Sequence, residues 1–216
     1  MGTFFVNDTN GNDGTGTEDN PARPFKTIGA AIAAANTDGD IVEITDEATY
    51  DDESARMTVA ANNVTLTHTA SELGRPVIDA SSFGTAEVIR VGTNSGNQKT
   101  GFVLNGIEVK GSSADLGATL FDNSTEADCF NGMVISDCFI HGFHSIADKL
   151  IQTSGGEVFT VQSSSFMFTP SNTFSIRMGV GTHLFNNCFF SRSGGSSTQK
   201  GIIDGFNGSG GGTLGT

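Results

Sequence analysis

Four residues have side chains that could carry out acid/base chemistry. Lys149 and Arg177 carry basic groups, and His144 and Asp148 lie close to Lys149 in the sequence. Proton transfer requires such a group to be held within hydrogen-bond reach of the proton that moves. The alternative is that these side chains belong to a solvated outer face. The sequence predicts no complete catalytic set, and these four residues are its candidates.

A polar loop near the N-terminus has the oxygen spacing of a calcium site. Asp8, Asn10, Asn12 and Asp19 could supply the carboxylate and amide oxygens that Ca²⁺ prefers. Asp13, however, stands where an EF-hand loop requires glycine. Turn formation explains the same residues without a metal. We therefore predict no metal and no cofactor, and these four residues are the candidates for calcium.

The charge balance excludes several classes of partner. The chain has 24 Asp and Glu residues against 11 Lys and Arg residues, which gives a formal net charge of −13. Phosphate backbones and anionic membranes are repelled by such a chain, so we expect neither nucleic acid nor a membrane as a partner. One acidic run predicts a solvated loop rather than a cation site; it comprises Asp46, Glu47, Asp51, Asp52 and Glu53.

The N-terminal part of the chain predicts one helix, and the remainder predicts short strands. Apolar residues recur at helical spacing over 24–36, a segment that begins with Pro24 and is followed by the stop signal Asp38-Gly39. From Asp40 onward the apolar residues alternate with a period of two. Because this pattern continues to the end of the chain, we predict an all-β body behind a single helix.

Four segments of the second half superpose without gaps, namely 103–109, 134–140, 161–167 and 184–190. Each begins and ends with an apolar residue and has a small polar pair in the middle, as in Ser136-Asp137. Short strands with a recurring polar corner and no intervening helix are typical of a β-solenoid, in which each turn stacks on the one before. The alternative is a β-sandwich, which has no reason to repeat the corner in register.

The superposition also predicts which side chains point inwards. We expect two buried columns, one of Val103, Val134, Val161 and Leu184, the other of Ile107, Cys138, Ser165 and Cys188. Parallel strands stack about 4.8 Å apart, so the two cysteines, on alternate turns, are too distant for a disulfide. We therefore predict that both thiols stay reduced.

The opening of the chain combines a strand, a Gly/Asn/Asp loop, a helix and a second strand, in Phe5-Val-Asn-Asp8, Gly11-Asn-Asp-Gly14, Pro24-Phe-Lys-Thr-Ile28 and Gly39-Asp-Ile-Val42. Together with the polar corners, this opening resembles the pectin-lyase-like superfamily. The resemblance implies a single-stranded right-handed parallel β-helix, here of about six turns, with an N-terminal capping α-helix. The predicted boundaries are 1–40 for the strand, loop and capping helix, 41–206 for the β-helix, and 207–216 for a Gly-rich tail.

The superfamily includes polysaccharide lyases, glycosidases, esterases and viral tailspikes, so the fold alone does not select a function. Its glycosidases carry a Gly-His-Gly motif beside paired carboxylates, which Ile140-His-Gly-Phe143 only approaches. Its lyases use a Lys or Arg base beside carboxylates that hold calcium, a role that Lys149 and Arg177 could fill. Met1–Val6 also lacks the basic and apolar segments of a signal peptide.

We therefore expect a non-catalytic structural component of a virus particle, such as a capsid decoration, head fibre or tail-associated protein. It would be synthesised in the host cytoplasm without a signal peptide and located in the virion. Its expected partners are other virion proteins and further copies of itself, as a trimer by the resemblance to tailspikes. The alternatives are a small polysaccharide lyase or glycosidase, and a non-catalytic module that binds a glycan or receptor.

The C-terminal tail predicts where assembly takes place. A β-solenoid ends in exposed backbone donors and acceptors that must be covered. The Gly-rich tail after Asp204 has too few apolar residues for a capping helix. We expect other chains to cover the open end and to contact Phe206, Leu214 and Thr216.

Overall fold

The structure is a computed structural model. It describes residues 1–53, 55–68, 74–83, 87–92, 97–111, 120–122, 131–143, 151–152, 157–168, 176–178, 181–192, 203–205 and 213–215. Every pair of neighbouring strands in these ranges is parallel. The described part of the chain is therefore built by repeating one kind of contact, the parallel pairing of neighbouring strands.

The strands are short, and most are three or four residues long. They are β1 Thr3–Val6, β2 Ile41–Ile44, β3 Thr49–Tyr50, β4 Met57–Val59, β5 Thr65–His68, β6 Val77–Asp79, β7 Ile89–Val91, β8 Val103–Asn105, β9 Glu108–Lys110, β10 Phe121–Asp122, β11 Met133–Ser136, β12 Phe139–His141, β13 Ile151–Gln152, β14 Glu157–Gln162, β15 Ser165–Phe168, β16 Ile176–Met178, β17 Gly181–Asn186, β18 Phe189–Arg192, β19 Ile203–Gly205 and β20 Thr213–Gly215.

These strands form three faces around a common core. The first sheet has the order β1-β2-β5-β8-β11-β14-β17-β20, and the second has the order β18-β15-β12-β9-β6-β3. The third face consists of β4-β7 and of β10-β13-β16-β19. From β2 onward, the described strands visit the three faces in the same order, and each pass stacks on the previous one. The predicted parallel β-solenoid is thereby confirmed, and the β-sandwich alternative is wrong.

The helix α1 spans Ile28–Ala34 and is shorter than the sequence predicts. Phe25 is extended instead and forms a parallel bridge with Val6 of β1. Thr27 then ends the extended stretch, because its side chain accepts a hydrogen bond from the Ala30 amide and caps the helix. The helix packs against β1, β2 and β4. No helix in the described ranges has the length and apolar character to span a membrane.

The N-terminal loop covers the free edge of β1. The Phe25 amide donates to the Phe5 carbonyl at 2.8 Å, and the Asn7 amide donates to the Phe25 carbonyl at 2.9 Å. The Asp19 amide donates to the Thr3 carbonyl, and the Asp19 carboxylate accepts from the Thr3 amide, both at 2.7 Å. These bonds satisfy edge groups that would otherwise be open to another strand.

The core column of the first sheet lies one residue away from the predicted one. Val134 pairs with Val103 and with Thr160, so the third repeat is shifted by one residue relative to the sequence superposition. The buried column consists of Leu66, Leu104, Ile135 and Val161, all with 0% exposure. The predicted column is right for Val161 and wrong for Val103, Val134 and Leu184, which face outwards. Apolar residues occur on both faces of these strands, so their pattern does not identify the buried face.

The polar corner between the first and second sheets has one backbone conformation on four passes. Gly106, Asp137, Ser163 and Asn187 all have positive φ, between 49° and 73°. Only glycine and small polar residues enter this left-handed region readily, which explains their recurrence. The second predicted column follows this corner: Ile107 and Cys138 are buried, and Ser164 rather than Ser165 takes the third place.

Part of the predicted C-terminal tail belongs to the first sheet. In β20, Leu214 lies opposite His183 of β17. The backbone of this short strand therefore continues the stack on the last pass of the chain.

Candidate functional site

The predicted catalytic residues fall almost entirely outside the described ranges. His144, Asp148 and Lys149 lie there, so their grouping stays a prediction. Arg177 lies in β16, where its backbone is in register with Gln152 and Asp204.

The candidate calcium loop is built from turns. The Asn12 side chain accepts from the Gly14 amide at 2.8 Å, and the Asn10 amide donates to the side chain of Asn7 at 2.8 Å. The Asp8 amide donates to Asp46, and Asp19 binds β1 as described above. These bonds direct the loop oxygens to backbone amides. Across the described ranges, no three His, Cys, Asp or Glu side chains are grouped so that they could hold a metal ion.

Glycine at position 11 permits the tight path of this loop. The Gly11 amide donates to the Asn7 carbonyl at 2.8 Å. A Cβ atom at this position would lie 2.1 Å from the Phe25 carbonyl oxygen and 2.3 Å from that of Asn7. Any other side chain would push the loop away from β1, so the glycine is needed to cover the strand edge.

The acidic run does not form a uniformly solvated loop. Asp46 accepts from the Tyr50 hydroxyl at 2.6 Å, and Asp52 pairs with Lys26 at 2.5 Å. Glu53 is only 5% exposed, and its Oε1 accepts from the amides of Ile28 and Gly29, at 2.5 and 3.1 Å. Burial raises the pKa of Glu53, although these two hydrogen bonds oppose it. This residue therefore has a structural place under the start of α1.

A row of ionisable side chains on the outer face of the second sheet was not predicted as a site. Lys110 donates to Asp79 at 2.9 Å, and His141 is hydrogen-bonded to Glu108 through Nε2 at 2.8 Å. The Phe139 ring stacks on the His141 ring with centroids 4.5 Å apart. Burial tends to raise the pKa of Asp79, but its hydrogen bonds from Lys110 and from the chain at Ser81 outweigh burial, so this pKa is lowered.

The superposition of the sequence repeats predicts which residues of this row lie opposite each other. Superposing 103–110 on 134–141 places Glu108 opposite Phe139 and Lys110 opposite His141, as the structure does. The partner of each ion, however, sits on a neighbouring strand and not at a fixed spacing along the chain. Catalytic sequence motifs, which depend on a fixed spacing along the chain, therefore do not identify this row. Chemically, the row offers a carboxylate, an imidazole and an aromatic ring within one surface.

Apolar side chains are exposed on β14, β15, β17 and β18, in the C-terminal part of the two main sheets. The exposed fractions are 48% for Val158, 43% for Met167, 43% for Leu184 and 62% for Phe189. Of the predicted assembly contacts, Leu214 lies in β20 on the same part of the stack, and Phe206 and Thr216 lie outside the described ranges. In the described ranges, four of the five large apolar side chains that are exposed lie in this part of the solenoid, and the fifth is Met1.

No protein-family model matches the chain, and no curated protein matches it. Among solved structures, the chain is similar to the native GH136 lacto-N-biosidase from Eubacterium ramulus, with a TM-score of 0.45 and 13% sequence identity. The match covers 87% of this chain and 40% of that one. The chain thus spans less than half the length of the protein that it matches.

Proposed function

We propose that this chain is a non-catalytic structural component of a virus particle, such as a capsid decoration, head fibre or tail-associated protein. The observation that carries the proposal is the exposure of Val158, Met167, Leu184 and Phe189 on β14, β15, β17 and β18. Exposed apolar groups concentrated in one region mark a contact surface. In this proposal the partners are copies of the chain, as a trimer on the resemblance to tailspikes, and other virion proteins.

The chemistry of the remaining surface is consistent with a structural role. Asp46, Asp79 and Glu53 each accept hydrogen bonds that hold loops, strands or the helix start in place. The parallel stack places each strand between two others of its sheet, except the strands at the ends of the four sheets, which include β7 and β10. Such a body is stiff and its acidic surface keeps it soluble until it meets its partner. The viral setting itself rests on the sequence resemblance.

We also propose that the solenoid is right-handed, has about six turns, and is capped by the N-terminal segment. The recurrence of one strand per face, as in β11, β12 and β13, supports the count. The contacts of α1 with β1 and β2, and the bonds of Asp19 and Phe25 to β1, support the cap.

The proposal is tested on purified virus particles. Quantitative mass spectrometry is expected to find the chain in a fixed ratio to the capsid protein, and washing with high salt should not remove it. If the chain stays in the supernatant of lysed cells and is absent from particles, the proposal is overturned.

A second candidate function is glycan binding or cleavage, by a small lyase, a glycosidase or a non-catalytic module. The observation that favours it is the row of Glu108, His141 and Phe139 on an outer face, since aromatic rings and carboxylates are the groups that engage sugars. Release of reducing sugar or a rise in unsaturated-uronate absorbance on a polysaccharide panel, lost in Glu108→Gln, would support catalysis. If the protein binds to no glycan on an array, the alternative of a non-catalytic glycan-binding module is wrong.

A further inference from the structure

The exposed apolar residues form pairs on two adjacent faces, which together we call the C-terminal apolar patch. Val158 and Leu184 lie on the outer face of the first sheet, where Val158 is opposite Thr182 of the neighbouring strand. Met167 and Phe189 lie on the outer face of the second sheet, where Phe189 is opposite Ser165. Each pair is a diagonal cross-strand neighbour, with Cα atoms about 7–8 Å apart.

The same face of the second sheet changes character along the stack. The position of Met167 is taken by Asp79, Lys110 and His141 on earlier passes. Those side chains are paired in ion contacts or with Glu108. At this position the second sheet therefore carries ionisable side chains on three passes, an apolar one at Met167 and a polar one at Ser191. The two ion pairs of this face lie before β15, and the exposed Met167 and Phe189 lie on β15 and β18.

The excess of acidic over basic residues is also confined to the N-terminal part of the chain. The residues before Ile151 include 22 acidic and eight basic side chains, whereas those from Ile151 onward include two acidic and three basic. Because successive passes stack in order, position in the sequence is position along the solenoid. Two copies of the chain therefore repel each other strongly through their N-terminal parts and hardly at all through their C-terminal parts.

The N-terminal end is closed to strand addition, whereas the described C-terminal end is not. Asp19 and Phe25 occupy the outer edge of β1 through backbone and side-chain hydrogen bonds. At the other end, β18 and β20 are the last strands of their sheets in the described ranges. A head-to-tail stack that continues the sheet from β20 to β1 of a second copy is therefore blocked.

We propose that the C-terminal apolar patch is the contact surface for a second copy of this chain, with C-terminal parts together and N-terminal ends apart. The charge distribution favours a second copy in this orientation, because two C-terminal parts, each with two acidic and three basic side chains, do not repel each other, whereas the acidic N-terminal parts do. The patch buries apolar side chains that water otherwise contacts, which is the driving force of association. The inference rests on the proposed function, in which the chain acts as a homo-oligomer.

Sedimentation velocity of the full chain at increasing salt tests the inference without any substitution. Salt screens the repulsion between the acidic bodies, with a Debye length of about 30 Å at 0.01 M and about 10 Å at 0.1 M. We expect oligomers whose dissociation constant falls as salt rises. A chain that stays monomeric at all salt concentrations, or an oligomer that dissociates as salt rises, overturns the inference.

A pair of variants locates the surface. Leu184→Ser combined with Phe189→Ser is expected to weaken association at least about 30-fold, since it removes two of the four apolar side chains that the contact would bury. Val134→Ser is the matched control, because Val134 occupies the same outward column as Leu184 on an earlier pass. It should leave association within about threefold. Equal association of the double variant and the wild type, both folded by circular dichroism, would contradict the assignment.

Crosslinking tests the orientation. In a Cys129→Ser, Cys188→Ser background, Thr182→Cys places an exposed thiol beside the patch, and Asn10→Cys places one at the N-terminal end. A short bismaleimide should link Thr182→Cys chains to each other and leave Asn10→Cys chains unlinked. Links between the two variants in a mixture would show a head-to-tail contact and overturn the orientation.

These outcomes separate the inference from the proposed function. A chain that oligomerises through the patch but is absent from virus particles contradicts the viral role and leaves the contact surface standing. A chain that is found in particles but is monomeric in solution and insensitive to the Leu184 and Phe189 substitutions contradicts the contact surface alone.

Discussion

Cys138 and Cys188 take the same place after the polar corner, on passes separated by the one that carries Ser164. Burial raises the pKa of the Cys138 thiol to about 12, although backbone hydrogen bonds oppose it. At pH 8 its thiolate fraction is then on the order of 10⁻⁴, and the thiolate is the reactive form. Both thiols are free in the structure.

We therefore expect iodoacetamide at pH 8 to modify the half-buried Cys188 at least about tenfold faster than Cys138, with Cys138 modified only on unfolding. Peptide mapping after timed quenching measures both sites. A disulfide-linked peptide pair containing Cys138 and Cys188, or equal labelling rates, would contradict the corner alignment.

Glu53 is the buried acid whose protonation should affect stability. Its pKa is raised in the folded chain, so the folded state holds a proton at pH values where the unfolded chain has released it. Stability contributed by this group is thus present below the ordinary Glu pKa and is lost as pH rises towards the raised pKa. Gln at this position keeps an acceptor for the Ile28 amide and does not titrate.

We predict that the free energy of unfolding of Glu53→Gln, relative to the wild type, improves between pH 4 and pH 7. The gain is up to about 1.4 kcal/mol for each pH unit between the ordinary and the raised pKa. Urea unfolding at several pH values measures it. Asp51→Asn, at an exposed carboxylate of the same run, is the control for losing one negative charge. A relative stability that declines over this range would refute the burial argument.

At the scale of elements, the register of the first sheet buries one residue of a strand and places the adjacent residue on the outer face. Ile135 is fully buried, whereas Val134 is half-buried on the outer face. Ile135→Asp buries an unpaired carboxylate at a cost of several kcal/mol and should prevent folding. Val134→Asp should cost about 1 kcal/mol, the range of strand propensity, and should still melt cooperatively. Thermal unfolding followed by circular dichroism distinguishes them, and the reverse order would refute the register.

The corner conformation predicts a second contrast between equivalent positions. Gly106 has φ of 73°, and a Cβ there would lie 2.7 Å from the His68 carbonyl oxygen. Gly106→Ala should cost about 2 kcal/mol or more, from the left-handed backbone and this contact. Asp137 has φ of 51° at the same corner, and Asp137→Gly should stay within about 1 kcal/mol of the wild type. Urea unfolding measures the free energy of unfolding of both variants. A similar decrease in the two would mean that the corner does not have the same backbone geometry on both passes.

At the scale of the whole molecule, the solenoid has two unlike ends. At the first end, loop residues are hydrogen-bonded along β1, and the last described strand of the same sheet is the three-residue β20. Because β20 pairs with β17 over only three residues, deleting 207–216 should leave the chain folded. The deletion also removes the residues predicted to contact other chains.

We expect the deletion to keep the melting temperature within a few degrees and to weaken or abolish assembly. Light scattering of both forms, and incorporation of each into particles, measures the effect. If the full chain is a stable monomer and the shortened chain is incorporated normally into particles, the tail has no role in assembly.

The sequence alone determined the parallel solenoid, because the recurring polar corner reflects a backbone conformation that each pass must adopt. Positive φ at Gly106, Asp137, Ser163 and Asn187 is the local cause of that recurrence. Local signals of this kind survive in a single sequence. The start of α1 was harder to place, since the pairing of Phe25 with β1 overrides its helical spacing.

Only the tertiary structure decided the register, the buried face and the surface rows. The run Ser163-Ser164-Ser165 fits the corner in two alignments, and stacking on neighbouring strands selects one of them. The pairing of Glu108 with His141, and the burial of Glu53 under α1, join residues that are far apart in the chain. Such contacts depend on which passes become neighbours, and that choice follows from packing of the whole stack rather than from any local pattern.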